Sequence, residues 1–317
     1  MNRLFDFIVA LGDLFMPRAC LACGCRLGMR ERHLCLSCAA DVPYTRFWLA
    51  PHNPLADRFN AVLERHRGTE PMDYAYAAAL LYYKGAYRAI PRALKYQGDL
   101  AAGRHYGALL GRRLAAAPHF ADIDLVIPVP LHWTRLRTRG YNQAEVLARA
   151  LVGAFRAAPA PGASAAPPSS VSERCPVAAG HDEGAAPITV IPGAPSAVIP
   201  GLTRSLPEVR TDLLVRARRT RTQTRVSVDQ KAQNVASAFQ MPERFSLWSR
   251  LVSTLKREAP ESPAAVLASA RHILLVDDTF TTGATLYACY AALRPFTTAR
   301  ISIATLAAVE GTPSSGP

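Results

Sequence analysis

Short apolar runs alternate along the chain with longer segments whose apolar residues recur at helical spacing. The short runs predict strands at Tyr76–Tyr83, Asp124–Val129, Ile273–Val276 and Ala299–Ala308. The longer segments predict helices at Leu55–Arg67, Ala86–Lys95, Leu100–Leu114 and Gly140–Leu151. Because strands alternate with helices, we expect an α/β fold with a mostly parallel sheet flanked by helices.

The pattern is interrupted between Ala157 and Pro200, where Pro, Ala, Ser and Gly dominate and periodicity disappears. This composition is typical of a flexible insertion. Regular spacing resumes near Leu213. We therefore expect an α/β domain over residues 70–311 that contains the 157–200 insertion, preceded by a small module at residues 1–45.

The apolar start of the chain, Leu4–Met16, contains Asp6 and Asp13 and is followed by no small-residue cleavage site. It predicts an amphipathic helix packed on the body rather than a signal peptide. No segment has the roughly 18 uninterrupted apolar residues that a membrane helix needs. We expect a cytoplasmic protein without a membrane span.

Charge adds one further indication. The 317 residues are 50% apolar, which allows a buried core, yet they carry a formal net charge of +13. Such a charge suggests an anionic partner, either a small phosphorylated ligand or nucleic acid. The alternative is that the Ala-, Arg- and Pro-rich composition alone produces the excess.

Four cysteines form two knuckles, Cys20-x-x-Cys23 and Cys35-x-x-Cys38. Four thiolates at this spacing predict a structural tetrahedral Zn²⁺ site. Two disulfides are the competing interpretation, although thiols stay reduced in the cytosol. Cys25 is a possible substitute for Cys23, and His33 is a further possible ligand.

The stretch from Ile273 to Thr285 combines a buried strand, two adjacent carboxylates, a hydroxyl-rich turn and a helix. Backbone N–H groups of such a turn and of the helix N-terminus converge on an anion, and threonine hydroxyls add donors. The turn therefore predicts a phosphate site. Its candidate residues are Thr279, Thr281, Thr282, Gly283, Ala284 and Thr285.

The two carboxylates, Asp277 and Asp278, would repel a phosphate. Sugar hydroxyls or a Mg²⁺ ion suit them, because hard cations prefer carboxylate oxygens. A simpler interpretation is an ordinary strand end with Thr279 or Thr281 capping the next helix.

Two further segments are rich in arginine. In the first, a strand-to-helix loop could surround a polyphosphate, since guanidinium groups pair bidentately with phosphate oxygens. Its residues are Arg135, Arg137, Arg139, Gly140, Asn142 and Gln143. The second interleaves polar residues with Arg216, Arg218, Arg219, Arg221 and Arg225, and its polar residues include Thr220, Gln223 and Asn234. Solvated surface arginines, or a nucleic-acid patch in the second segment, are the alternatives.

The Ile273–Thr285 stretch closely resembles the signature of type I phosphoribosyltransferases, which bind 5-phosphoribosyl-1-pyrophosphate (PRPP). With the N-terminal cysteine knuckles and the arginine segments, nearly the whole chain outside the insertion resembles the ComF family. The other matching motifs are Tyr83-Lys-Gly85, Leu94-Lys-Tyr-Gln-Gly98, Pro128-Val-Pro130, Arg139-Gly-Tyr-Asn-Gln143, Thr220-x-x-Gln223 and Asn234-Val-x-x-Ala-Phe239.

The resemblance implies a type I phosphoribosyltransferase-like sheet with a small N-terminal zinc-ribbon module. It implies that Asp277 and Asp278 act at the ribose and metal as the catalytic pair, and that the threonine turn holds the 5′-phosphate. Mg²⁺ and the arginine loop would neutralise pyrophosphate, and Arg216–Lys231 would close as a lid.

The implied role is phosphoribosyl transfer or PRPP binding in DNA uptake during natural transformation, beside a helicase-like competence partner. The alternatives are a catalytically silent accessory that handles single-stranded DNA, and a glycosyltransferase that makes a nucleotide precursor. Two departures from the family pattern are Lys231, where arginine is usual, and the insertion, which lengthens the hairpin that would close over PRPP.

Overall fold

The computed structural model describes residues 17–66, 73–157, 207–216, 239–241 and 262–311. The predicted helix at Leu4–Met16 and the insertion after Ala157 lie outside these ranges. So does most of the second arginine segment, including Thr220, Gln223 and Asn234.

A five-stranded sheet forms the centre of the fold, and all of its strand pairs are parallel. Its strands in chain order are β1 (Ala77–Tyr82), β2 (Leu125–Pro128), β3 (Glu208–Val209), β6 (His272–Phe280) and β7 (Arg300–Ala308). Their spatial order is β1-β7-β6-β2-β3, so the two longest strands lie at the centre. A separate antiparallel pair joins β4 (Val215–Arg216) to β5 (Phe239–Gln240).

Helices flank the sheet, which confirms the predicted α/β class. In chain order they are α1 (Leu36–Ala40), α2 (Pro54–His66), α3 (Ala89–Arg92), α4 (Leu100–Ala115), α5 (Trp133–Arg139), α6 (Gln143–Ala157), α7 (Pro263–Ser269) and α8 (Ala284–Leu293). Within the described ranges, no helix is long and apolar enough to cross a membrane.

The apolar strands are buried on both faces, as expected for a parallel sheet covered by helices. Leu274 and Val276 of β6 belong to the core that α4 and α6 cover. Ile273 and Leu275 belong to the opposite core, which α2 and α8 cover. Alternate residues of one strand thus serve two apolar layers, which explains why β6 is a continuous hydrophobic run in the sequence.

Two predicted helices differ from the structure. The segment predicted as one helix at Ala86–Lys95 is a 3₁₀ turn at Gly85–Arg88, the short helix α3, and a π-helical turn at Ala93–Gln97. Gly98 ends it with a left-handed φ of 70°. The helix predicted from Gly140 begins instead at Gln143, because Asn142 accepts a hydrogen bond from the Ala144 amide at this end.

Strand β6 continues through the acidic pair, whereas the sequence predicted that the strand would end before it. The neighbour β2 pairs with β6 only as far as Pro128 opposite Val276, while β7 pairs as far as Ala308 opposite Phe280. The last residues of β6 are therefore paired on one side and open on the other. This one-sided edge is where a cavity forms.

Candidate functional site

A cavity of ≈ 270 Å³ lies at the carboxyl ends of β2 and β6. Ligands of open α/β sheets bind at this end of the strands. The cavity brings together residues from the acidic pair, the threonine turn and the first arginine segment. Those predicted from the sequence are Arg135, Arg139, Asn142, Gln143, Asp277, Asp278, Thr279, Thr281 and Thr285.

The two carboxylates have different surroundings, because adjacent residues of a strand point to opposite faces. Asp278 is buried and forms an ion pair with Lys95, whose Nζ lies 2.8 Å from its Oδ2. Burial and, after it, the charge of Asp278 raise the pKa of Asp277 to about 7, and the charge of Lys95 acts against this rise. The pair therefore keeps a carboxyl group that exchanges its proton near neutral pH.

Two features fix the conformation of the turn after β6: the backbone of Gly283 and the side chain of Arg58. Gly283 has a left-handed φ of 80°, and a Cβ there would lie 3.0 Å from the Phe280 ring. Arg58 of α2 donates hydrogen bonds to the carbonyl oxygens of Thr281 and Val309 and lies over the same ring. A residue other than glycine would be strained at position 283.

The N-terminus of α8 has no side-chain cap, which gives no support to the simpler interpretation that Thr279 or Thr281 caps this helix. Gly283 occupies the capping position instead. Thr282, Gly283 and Ala284 do not line the cavity, whereas Thr281 and Thr285 on either side of them do. The Ala284 N–H donates a long hydrogen bond of 3.5 Å to Thr282 Oγ1, and the start of α8 reaches the cavity at Thr285, where a helix N-terminus favours an anion.

The first arginine segment is helical rather than a loop, which corrects that part of the sequence prediction. Helix α5 places Arg135 and Arg139 at the cavity, while the Arg137 guanidinium lies 5.1 Å from the centre of the Trp133 ring. Gly140 ends α5 with a φ of 79°. An i, i+4 spacing puts Arg135 and Arg139 on one face of a helix, which explains why both line the cavity and Arg137 does not.

Asn142 and Gln143 lie at the cavity for different reasons. Asn142 donates a hydrogen bond to the carbonyl oxygen of Val129 at 3.0 Å and so ties α6 to the segment after β2. Gln143 is 2% exposed, yet its Nε2 has no hydrogen-bond partner in the described part of the chain. Neither does the buried Oγ1 of Thr279. Burying polar atoms without partners costs free energy, so a ligand in the cavity is expected to pair with them.

Two polar residues of the cavity, Tyr83 and Lys95, were not assigned to the site from the sequence, whereas Arg216 was expected there only as part of a lid. Lys95 is the most informative, because it forms the ion pair with Asp278 from a π-helical turn, and such turns occur frequently at functional sites. Lys95 belongs to the Leu94–Gly98 motif of the family resemblance, and this motif was the feature of the sequence that could have indicated its role. Arg216 lies on β4 and over the Phe239 ring of β5.

The four cysteines Cys20, Cys23, Cys35 and Cys38 form a second candidate site. Their sulfur atoms all lie within 4.8 Å of one another, an arrangement that can hold a metal ion such as zinc. The Sγ atoms of Cys23 and Cys35 are 3.8 Å apart. Tetrahedral coordination with Zn–S bonds of about 2.3 Å separates sulfurs by about 3.8 Å, so the donor set fits that ion.

Backbone amides support this sulfur cluster. Cys35 donates its N–H to Cys20 Sγ at 3.4 Å, and Cys38 donates its N–H to Cys35 Sγ at 3.5 Å. Cys25 and His33, the two alternative ligands, do not belong to the close set. His33 instead packs its ring against His105 of α4. The described cysteines are all free thiols, which gives no support to the disulfide interpretation.

Comparison with models of known protein families found no match for this chain, and a search of curated proteins found no relative.

Proposed function

We propose that the cavity binds PRPP together with Mg²⁺ and that the chain is a phosphoribosyltransferase-like protein of the ComF type. The observation that carries this proposal is the convergence of three kinds of group in one cavity. An acidic pair, the hydroxyls of a glycine turn, and three arginines line the same space, an arrangement that suits a ribose flanked by two phosphate groups.

The phosphate groups of PRPP would occupy two parts of the cavity. The 5′-phosphate would lie against Thr281, Thr285 and the uncapped start of α8, where amide and hydroxyl donors meet a helix dipole. The pyrophosphate would pair with Arg135 and Arg139, whose guanidinium groups match phosphate oxygens bidentately. Each end of the ligand then has its own set of donors.

The acidic pair would hold the centre of the ligand. Carboxylate oxygens of Asp277 and Asp278 accept hydrogen bonds from ribose hydroxyls, and they also suit the coordination shell of Mg²⁺. Lys95 holds Asp278 in place through its ion pair. The ion, when bound with pyrophosphate, would supply further neutralisation of phosphate charge.

The chemistry open to such a site is displacement of pyrophosphate from C1 of the ribose by a nucleophile. The residues of this cavity would orient the ribose and neutralise the departing pyrophosphate, and both effects lower the barrier without acid–base catalysis. Participation in DNA uptake, together with a helicase-like partner, is part of the same proposal and rests on the ComF resemblance.

Calorimetric titration with Mg–PRPP tests the binding proposal. The double substitution Asp277→Asn and Asp278→Asn should weaken binding roughly ten- to hundredfold, because charge-assisted hydrogen bonds are lost. Asp73→Asn, an exposed position before β1, is the matched control and should change nothing. Equal affinity of the double variant and the control would remove the assignment. Release of labelled pyrophosphate, measured with candidate acceptors, then separates an enzyme from a protein that only binds PRPP.

A second candidate function, the handling of single-stranded DNA, is favoured by two exposed aromatic residues next to arginines of α5. Trp133 is 58% exposed beside Arg137, and Tyr96 is 73% exposed beside Arg139. Exposed rings interleaved with arginine are the elements on which bases stack in single-strand binding proteins. In this role Mg–PRPP should compete with a DNA oligonucleotide for Arg139, which a titration of DNA with and without Mg–PRPP measures.

A further inference from the structure

Another cavity, of ≈ 320 Å³, lies between the cysteine segment and helix α4. The cysteine segment lines one side of it, with residues between Arg30 and Tyr44, and α4 lines the other side with His105 and Tyr106. None of these residues lines the proposed PRPP site. We call this cavity the junction groove.

We propose that the junction groove is a docking site for a partner protein, which would enter it with a short acidic segment that carries a large apolar side chain. The groove combines an apolar lining with a pair of cationic side chains, and such a segment matches both. This docking does not depend on PRPP binding, because the two sites share no residue.

The lining of the groove is largely apolar and includes a side chain that the fold leaves uncovered. Leu34, Val42 and Tyr106 are its buried part, whereas Leu36 is 80% exposed. Leu36 begins α1, and this short helix has no buried residue. Met29, which precedes the cationic residues in the sequence, is 60% exposed. Large apolar side chains exposed around a groove mark sites of protein–protein contact.

Arg30 and Arg32 give the groove its positive charge. Both are exposed, and neither forms an ion pair with another described residue. Glu31 between them is the only acid among the described residues that line the groove. Its two carboxylate oxygens accept hydrogen bonds from the backbone N–H groups of Gly28 and Leu36, each at 2.6 Å. The two guanidinium groups are therefore left to pair with carboxylates of a partner, which they match bidentately.

This combination favours a protein segment over two other occupants. A second copy of this chain would carry the same net charge of +13 and would bring like charges together. Nucleic acid would pair its phosphates with the arginines but would offer little apolar surface to the exposed leucine. An acidic segment with an apolar side chain suits both the charge and the lining of the groove.

The probe for this site is a fluorescein-labelled peptide in which a phenylalanine stands between pairs of glutamates. Fluorescence anisotropy measures its binding to the full chain. One matched peptide has glutamine in place of each glutamate, and another has serine in place of phenylalanine. Both should bind at least roughly fivefold more weakly, because each lacks one half of the recognised chemistry. Equal binding of the serine peptide would show only general attraction to a basic protein and would overturn the docking site.

Variants of the groove test the same site from the side of the protein. Arg30→Gln combined with Arg32→Gln should weaken peptide binding roughly five- to tenfold, and Leu36→Ser roughly fivefold. All three side chains are exposed, so the melting temperature of these variants should be unchanged. Arg65→Gln combined with Arg156→Gln is the matched control, because it removes the same charge from exposed positions on α2 and α6. Equal losses in the two double variants, or unchanged affinity in Leu36→Ser, would contradict the proposal.

Two further measurements separate the other occupants. In sedimentation, the oligomeric state of the full chain should be the same in wild type and in Leu36→Ser. Dissociation caused by Leu36→Ser would assign the groove to a second copy and refute a partner protein. Displacement of the peptide by oligothymidylate, as complete as by unlabelled peptide, would assign it to nucleic acid. Mg–PRPP should bind the Arg30 and Arg32 double variant with wild-type affinity, so a failure of either proposal is seen separately.

Discussion

At the scale of single residues, Asp277 shows a conflict between stability and binding. Its side chain lies beside a second carboxylate in a buried strand, and burial together with that neighbouring charge raises its pKa to about 7. Only part of the repulsion is offset, because Lys95 pairs directly with Asp278 rather than with Asp277. Strain of this kind is common where a ligand or an ion later supplies the missing partner.

Replacing Asp277 with Asn should therefore stabilise the ligand-free protein at alkaline pH. The pKa of Asp277 is raised from an ordinary 3.8 to about 7, so between these values the folded chain holds a proton that the unfolded chain releases. The free energy of unfolding then falls as pH rises through this window. We expect Asp277→Asn to gain about 1–2 kcal/mol at pH ~8 and little at pH ~4.

Denaturant unfolding of both proteins across this pH range, without ligand, measures the difference. Asp73→Asn is again the control, because its carboxylate is exposed and should give no pH-dependent gain. A constant difference between wild type and Asp277→Asn at all pH values would show that the carboxylate carries no such cost.

The sequence revealed the residues of this site that lie close together along the chain. Asp277 through Thr285 form one continuous run, and Arg135 through Gln143 form another. Lys95 could not be found in this way, because its role arises only when a distant π-helical turn meets the end of β6. The unpartnered amide of Gln143 is likewise visible only in three dimensions.

At the scale of elements, helices α4 and α6 approach each other unusually closely. A Cβ added to Gly107 would lie 2.8 Å from the carbonyl oxygen of Leu147. A Cβ added to Gly111 would lie 2.8 Å from the Cα of Leu151 and nearer still to its carbonyl oxygen. These glycines let the two backbones touch and so fix α6, whose first residue Gln143 lines the cavity.

Gly111→Ala should therefore cost about 2–3 kcal/mol of stability, since the clash is with backbone and the helices must separate. Gly153→Ala in α6 is the matched control, because its added methyl meets nothing within 4 Å. A glycine in a helix interior costs roughly 0.5–1 kcal/mol relative to alanine, so the control should gain a similar amount. Thermal unfolding should therefore show a lower melting temperature for Gly111→Ala and a higher one for Gly153→Ala. A loss of stability in both, or in neither, would contradict the close packing.

Element types were predicted well where local signals agreed. The predicted strands and most predicted helices occur, because apolar runs and helical spacing record burial directly. The predicted ends of elements were wrong where contacts between distant parts of the chain determine them. β6 extends to Phe280 because β7 continues to pair with it, and the arginine segment is helical although it was expected to form a loop.

At the scale of the whole molecule, the cysteine cluster is joined to the α/β domain by packing. Cys20, Leu34 and Cys35 belong to the same apolar core as Tyr106 and Leu110 of α4. Tyr87 also donates a hydrogen bond to the carbonyl oxygen of Cys38 at 2.9 Å. The cysteine cluster therefore packs on the core that α4 covers. Loss of structure in the cluster should destabilise this side of the domain.

Metal removal should therefore destabilise more than the cysteine segment. We expect about one zinc per chain in protein purified without chelators, bound by four thiolates that leave no open position. Cys35→Ser should lose the ion and lower the melting temperature, because metal binding contributes directly to folding free energy. Cys25→Ser is the matched control: it changes a cysteine of the same segment that lies outside the close set of four sulfurs.

Metal analysis and hydrogen exchange on the two variants separate the possible outcomes. Loss of zinc should increase exchange in the segment around Cys20–Cys38 and also in the face of α4 that carries Tyr106, since both belong to one core. Exchange at β6 and β7 should change little, because those strands lie in the middle of the sheet. Zinc content that falls equally in Cys25→Ser would refute the four-cysteine assignment. A zinc-free Cys35→Ser protein with normal exchange along α4 would show that the cluster is an appendage without a structural role in the domain.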